Sequence, residues 1–292
     1  SSNQDTRLAR NFLRHKVLPQ LASAINPDVE SALARLASAA DEDESYWARL
    51  VEAEFDALRA AGPPGAVVLD ARRLAACHPA LGKRIVRRAL AEVSGSLRRF
   101  TQEHLESAWR LAGRKTGSGR ILVPHAEVRR SLGWLRFAPP GTVPEPPPAQ
   151  QLTRPGWSRL SAWSVEVTEF NSSCLPTLPP ELSRYNGGSD LLDAEQVSFP
   201  FTVRCWQAGD VFCPAGRGGE VKVKELFAPA GVPSWERPLW PIILSEGRIV
   251  WCYRFGAAAQ AAAGPGSSRV LRVRVVFESP SFEASAGGLL AG

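Results

Sequence analysis

Residues 138–149 read APPGTVPEPPPA, and this stretch restricts the possible folds more than any other. Its six prolines lack the backbone N–H that a helix interior or a central strand must donate, and their fixed φ holds the chain semi-extended. A chain of 292 residues therefore divides here, with enough residues on each side for a core. The pattern predicts an α+β protein. Residues 1–137 form a helical domain closed by a β-hairpin, and 138–155 a Pro-rich linker. Residues 156–280 form a small C-terminal α/β domain, and 281–292 a disordered tail.

Composition narrows the function. No apolar run reaches the roughly 18 residues that span a bilayer, and no signal peptide opens the chain, so a cytoplasmic protein without membrane contact is expected. The five cysteines are scattered without a C-x-x-C pair, and the four histidines lie near none of them at ligand spacing; buried free thiols are expected and no metal site. Charge is segregated. Residues 28–60 carry nine acids against three arginines, whereas residues 72–136 carry fifteen Lys or Arg against four acids. One sign so concentrated suits a polyanion partner, and it equally suits a solvated basic helix face.

Taken in order, Asp5 is a candidate cap for a basic helix with Leu8, Phe12 and Leu13 inward and Pro19 near its end. Asn26-Pro27-Asp28 breaks that helix and caps a second of roughly 30 residues, along which Leu33, Leu36, Tyr46, Trp47 and Phe55 recur as core. After Gly62-Pro63-Pro64-Gly65 comes a short strand, with Asp70 capping the next helix. Pro79 opens a helix with Ile85, Val86, Ala89 and Leu90 inward and Lys83, Arg84, Arg87 and Arg88 outward. Thr101 with His104 imitates a capping box, and His104 and His125 read as structural. A loop carrying Arg114 and Lys115 leads to a hairpin over 120–137. Beyond the linker, 157–170 reads as a strand pair, 171–198 is poorly patterned, and 269–277 is a final strand.

Residues 199–256 hold a β-like run, a turn at Ala208-Gly209-Asp210, a Gly-rich loop over 216–219, Lys222 and Lys224 on an amphipathic piece, and two further β-like runs. Glycines before alternating lysines suit a backbone that approaches an anion closely, or a tight turn capping a small α+β domain. Arg204, Gly209-Asp210, Phe212, Pro214-Ala215-Gly216, Lys222, Lys224, Val232-Pro233, Arg237, Pro241 and Ile249-Val250-Trp251 follow one another in an order that resembles the C-terminal domain of bacterial tRNA(Ile)-lysidine synthetases. Ala208 stands where that family has Pro, and Arg254-Phe255-Gly256 replaces its Gly-x-Arg. Near the start, Ser2-Asn3 and Arg10-Asn11-Phe12-Leu13-Arg14-His15, with Pro19 downstream, resemble the family's segment after the catalytic domain, so the chain is expected to begin inside that motif.

The resemblance implies a ligase that joins L-lysine to C2 of the wobble cytidine of the CAU-anticodon isoleucine tRNA. In it, ATP with Mg first adenylates the base. It implies that Arg10, Asn11 and Arg14 border the active site, and that this chain, with the helical domain as its substrate-binding domain, supplies tRNA recognition. Arg84, Arg87, Arg88, Arg204, Lys222, Lys224 and Arg237 are the expected tRNA contacts. Expected partners are the isoleucine tRNA, the enzyme's own N-terminal ATP-pyrophosphatase domain and, in some assemblies, a second copy. Neither S-G-G-x-D-S nor G-x-x-x-x-G-K-[ST] occurs here, and Asn186-Gly187-Gly188-Ser189-Asp190 has the wrong order and reads as a loop, so this chain alone is expected to bind neither ATP nor Mg and to be inactive. The alternatives are a stand-alone, non-catalytic RNA-binding module and an interaction scaffold built on the acidic helix.

Overall fold

The computed structural model describes residues 8–114, 117–142, 145–160, 163–171 and 190–277, in two compact units that divide between Ala57 and Leu58. The expectations placed on Ser2, Asn3, Asp5, Lys115, Cys174, residues 186–189 and the tail 281–292 lie outside the described residues.

The first unit is helical. α1 (Ala9–Phe12), a π-helical turn (Leu13–Val17) and α2 (Leu18–Ala24) follow one another without a break. Pro19 was expected near a helix end; instead it sits in the first turn of α2, and the helix passes through it. Proline cannot return an N–H one turn back, and the widened turn before it, closed by Leu18 N–H on the Leu13 carbonyl, absorbs the misfit. Asn26 accepts from Asp28 N–H at 2.9 Å and starts α3 (Val29–Leu58), the long helix that the periodicity predicts. The inward assignments are corrected for Leu8, Phe12, Leu13, Leu33, Leu36 and Tyr46, which are exposed. Phe55 is buried, in keeping with its core assignment. A helix has only one covered stripe, and periodicity alone does not say along how much of its length that stripe is covered.

The second unit opens with β1 (Arg59–Ala60), β2 (Val67–Asp70), α4 (Ala71–Ala76), α5 (Pro79–Ser94), α6 (Gln102–Ala112), β3 (Gly119–Val123), β4 (Ala126–Ser131) and β5 (Trp134–Ala138). The helix starts follow their caps. Asp70 accepts from the N–H groups of Arg72 and Arg73 at 2.8 and 3.0 Å. Thr101 accepts from His104 N–H, and His104 Nδ1 accepts from Thr101 N–H at 3.1 Å, a complete reciprocal box. The expected hairpin is a larger sheet, ordered β1-β2-β5-β4-β3 and antiparallel throughout. The run expected as one strand over 127–137 folds back at Leu132-Gly133, where Leu132 takes φ 56°. Between α5 and α6, Gly82 lies against Trp109, whose indole fills the space where a side chain would stand.

The remainder comprises β6 (Gln150–Leu152), β7 (Gly156–Leu160), β8 (Trp163–Asn171), β9 (Leu191–Asp193), β10 (Phe201–Cys205), β11 (Val211–Phe212), β12 (Val221–Lys222), α7 (Val223–Phe227), β13 (Pro241–Ser245), β14 (Arg248–Cys252), β15 (Gly256–Ala257) and β16 (Arg269–Phe277). Between Pro148 and Pro155 the chain regains its N–H donors, and β6 pairs with β10 within the stretch expected as linker. Two sheets, β15-β14-β13-β10-β6 and β7-β8-β16-β9, enclose one apolar cluster that includes Trp163, Phe201, Phe227, Trp240, Trp251 and Leu271. Mixed helix and sheet is observed, yet the pairing here is antiparallel, and among the described residues the helical part is the five-residue α7 and a 3-10 turn at Arg237–Leu239. The expected α/β label gives way because neighbouring strands pair antiparallel; β7 and β10 alternate between buried and more exposed residues, whereas β13 and β14 are buried nearly throughout. Indole N–H groups tie the layers: Trp163 donates to the Leu239 carbonyl at 2.7 Å, Trp240 to the Tyr253 carbonyl at 3.0 Å, and Trp251 to Asp190 at 3.0 Å. Cys205 and Cys252 are buried as free thiols, with burial pushing Cys205 up to about 12, while Cys77 and Cys213 are half-buried.

Gly82→Ala should destabilise the chain by about 1–3 kcal/mol despite the better helix propensity of alanine, because the added methyl would stand 2.8 Å from Trp109 Cδ1. Urea denaturation measures it, and a gain in stability would contradict the close packing. Burial raises the Asp190 pKa above the ordinary carboxylate value, more than the Trp251 hydrogen bond lowers it. A raised folded-state pKa means stability that is present at acid pH and lost as pH rises through it. Asp190→Asn keeps the acceptor for Trp251 without the charge, so it should be more stable than wild type at about pH 7 and no more stable below the ordinary carboxylate range.

Candidate nucleic-acid interface

The turn between β10 and β11 is fixed by a nearly buried ion pair. Arg204 Nη1 and Nη2 donate to Asp210 Oδ2 and Oδ1 at 2.8 and 2.7 Å, and Nη1 also donates to the Cys205 carbonyl at 2.9 Å. The same carboxylate accepts from Gln207 N–H at 2.8 Å, and the Asp210 carbonyl accepts from Val223 N–H at 2.9 Å at the start of α7. Gly209 takes φ 103°, a conformation that side-chain-bearing residues rarely adopt. One carboxylate group and its backbone thus hold the turn, the strand before it and the helix after it.

The loop between β11 and β12 is anchored at its base and open at its tip. Ala215 N–H donates to the Ala257 carbonyl at 3.0 Å, and Ala259 N–H to the Cys213 carbonyl at 2.7 Å. Residues 216–220 are exposed, with Gly216 and Gly219 at positive φ. Lys222, paired across from Val211, and Lys224 on α7 are exposed beside this loop, with no ion pair to any described residue. Arg217 adds a third cation at the tip, and Glu220 and Glu225 stand among them.

Arg237 turns inward. Its Nε and Nη2 donate to the Val232 carbonyl at 3.2 and 3.1 Å, its guanidinium lies 5.3 Å from the Phe227 ring centroid, and burial lowers its pKa. Of the four cations in this segment expected to contact the tRNA, Lys222 and Lys224 face solvent, whereas Arg204 and Arg237 turn inward and brace the backbone beside them.

On α5, Arg87 is exposed and Arg84 and Arg88 are half-buried. Arg88 reaches Glu92 at 2.9 Å, and Arg59 reaches the same carboxylate at 2.6 Å. Burial opposes the Glu92 charge, but the hydrogen bonds from Arg59 and Arg88 hold its pKa below the usual range. Lys83 is held by Glu106 at 2.9 Å. Arg10 and Arg14 are exposed on the N-terminal helical stretch and Asn11 is half-buried.

Arg114, read from the sequence as a loop cation, belongs to a further basic group whose other members, Arg72 and Arg130, were not singled out from the sequence. Arg130 on β4 is buried and donates from Nη1 to the Gly117 carbonyl at 2.8 Å and from Nε to the Ala112 carbonyl at 3.3 Å. Burial, then the nearby charges of Arg72 and Arg114, lower its pKa. Arg72 and Arg114 are exposed, so three guanidiniums share one neighbourhood. The basic excess over 72–136 contained this signal, but only the fold gathers it: the register of β2, β5 and β4 sets the start of α4, with Arg72, near β4, and the Arg130 hydrogen bonds to Ala112 and Gly117 hold the segment carrying Arg114.

A family model described as the TilS substrate binding domain matches residues 69–136, and one described as the TilS substrate C-terminal domain matches residues 201–275. The chain is 36% identical over 280 residues to the tRNA(Ile)-lysidine synthase of Solibacter usitatus, covering 94% of this chain and 61% of that protein. It is 31% identical over 279 residues to the tRNA(Ile)-lysidine synthase of Geobacter sulfurreducens, covering 94% of this chain and 57% of that protein. It thus spans less than two thirds of these relatives. A crystal structure of the TILS C-terminal domain is 26% identical with a TM-score of 0.36, covering 45% of this chain and 99% of that one.

The ion pair makes its own prediction. Asp210→Ala leaves a nearly buried guanidinium without its carboxylate and should cost about 3 kcal/mol in chemical denaturation. Arg204→Ala combined with Asp210→Ala should cost less than the sum of the two single changes, and strict additivity would show the pair to be uncoupled.

Proposed function

We propose that this chain, which belongs to the tRNA(Ile)-lysidine synthase family, supplies tRNA recognition to an enzyme that joins L-lysine to C2 of the wobble cytidine in the CAU-anticodon isoleucine tRNA through an adenylated intermediate. The observation that carries this reading is the pair of exposed lysines, Lys222 at the end of β12 and Lys224 on α7, beside a turn braced by Arg204 and Asp210 and near the inward Arg237, inside the segment that matches the family's C-terminal domain. Cations on a fixed backbone hold phosphates without reading bases, which is how an A-form stem is recognised by shape. Methionine tRNA carries the same CAU anticodon, so discrimination must reach beyond the reacting base. A separate tRNA-binding region serves that need.

In this reading Arg87, with Arg84 and Arg88 beside it, binds further phosphates along α5, and Arg10, Asn11 and Arg14 border the active site. The sequence has no pyrophosphate-binding loop of either pattern, so its residues do not fit ATP with Mg; those belong with the ATP-pyrophosphatase domain of the full enzyme. The exposed apolar residues of the first unit, among them Leu8, Phe12 and Leu36, suit packing against that domain or a second copy. No helix among the described residues is long and apolar enough to cross a membrane.

The test is a salt series of binding to isoleucine and methionine CAU tRNA transcripts. The isoleucine tRNA should bind more tightly, and its preference should survive added salt. Lys222→Ala with Lys224→Ala should weaken binding and flatten the salt dependence by roughly one log–log unit for each phosphate no longer neutralised. Equal binding of both tRNAs, weakening together with salt, would reduce the chain to a non-specific electrostatic arm.

A further inference from the structure

The sheet β7-β8-β16-β9 buries one face in the apolar cluster and turns the other outward. Strand register decides what the outer face carries. Trp157 on β7 stands opposite Glu166 on β8, which stands opposite Arg274 on β16. In the next row Arg159 stands opposite Ser164, and Ser164 opposite Val276. Along β16, Arg272 and Arg274 are two residues apart on the same face, about 6.8 Å along the strand.

Three properties of this face point to a ligand. Trp157 is 52% exposed, although a lone edge-strand indole gains most when covered. It lines a shallow cavity of about 390 Å³ with Arg159, Ser164 and Val276. Arg159, Arg272 and Arg274 make no ion pair with any described residue. Arg272 is instead held over the Phe170 ring, 5.0 Å from its centroid, so its position is set in advance. The opposing charge within these rows is Glu166; Asp193, at the far edge, accepts from the Ser267 hydroxyl at 2.7 Å and from Glu195 N–H at 2.9 Å.

We infer that this outer face is a stacking platform for an unpaired segment of the bound RNA, with one base on Trp157 and the flanking phosphates on Arg159, Arg272 and Arg274. An aromatic face among cations, spaced along a strand, matches the alternation of base and phosphate in a single strand. A paired base cannot use it, because its faces are covered by the neighbouring pairs. The cationic excess disfavours another copy of this basic chain as the occupant. The inference rests on the RNA-binding reading above but concerns residues that the lysine-bearing loop does not include.

A fluorescein-labelled single-stranded RNA octamer, the same octamer annealed to its complement, and a tRNA transcript separate the possibilities. Wild type should bind the single strand more tightly than the duplex, and Trp157→Ala should weaken single-strand binding by about tenfold. Arg159→Gln with Arg274→Gln should flatten the salt dependence of single-strand binding by roughly 1.4 log–log units, about 0.7 for each phosphate released. This second variant keeps the indole and tests the face even if Trp157→Ala fails to fold. If both variants bind the octamer as wild type does, while Lys222→Ala with Lys224→Ala still weakens tRNA binding, the platform is overturned and the RNA-binding reading stands. If wild type binds none of the three RNAs, the RNA-binding reading falls and the platform with it. If Trp157→Ala changes the sedimentation coefficient and leaves octamer affinity alone, the face is a surface between copies, and the platform is overturned.

Discussion

The Arg204–Asp210 pair governs the part of the molecule proposed to meet the tRNA. Its two short hydrogen bonds hold β10 to the turn, and the Asp210 carbonyl carries the restraint to the start of α7. Without it, β11, β12 and the loop between them would keep only a two-residue strand pairing, the packing of Phe212 and the hydrogen bonds of the loop base to Ala257 and Ala259. An ion pair so little exposed gives modest net stability, because removing its charges from water offsets most of their attraction. What it does supply is direction. It commits the backbone to one path, and that path sets where Lys222 and Lys224 stand.

The same division between bracing and presenting recurs elsewhere. Arg237 directs its donors to the Val232 carbonyl and its face to Phe227, and Arg130 directs its donors to the Ala112 and Gly117 carbonyls. Both are cations used as internal struts, and each leaves other cations nearby in solvent. Guanidinium suits this work, since its fork can satisfy fixed carbonyls while its flat face packs on a ring. Lysine does not, and the exposed cations of the β11–β12 loop include both lysines of that segment.

How far the sequence was legible depended on the range of the interaction. Asp70 and the Thr101–His104 box act within one turn of chain, and α3 repeats its pattern from turn to turn, so each could be read from nearby letters. The alternation along β8 and β16 was equally plain. Strand order was not, because register is set by which apolar faces meet and not by any single strand. The candidate site shows the same limit. Arg204 and Lys222 look alike as cations in a basic segment, and only the position of Asp210 relative to Cys205 and Val223 separates an inward side chain from an outward one. Trp157 reads as an ordinary strand aromatic until β16 places Arg274 in its row.

Trp163, Trp235, Trp240 and Trp251 are almost wholly buried, in a chain that contains no methionine. Indoles are rigid, and three of these four are pinned by a directional N–H bond to a distant carbonyl or carboxylate. Thioethers fill gaps by rotating, so an interior without them has few alternative packings of similar energy. A partner docking on the outside of such a core meets a surface that yields little. For the RNA partner proposed above, the adjustment then falls to the RNA, and molecules of equal charge would be sorted by how much it costs each of them to deform.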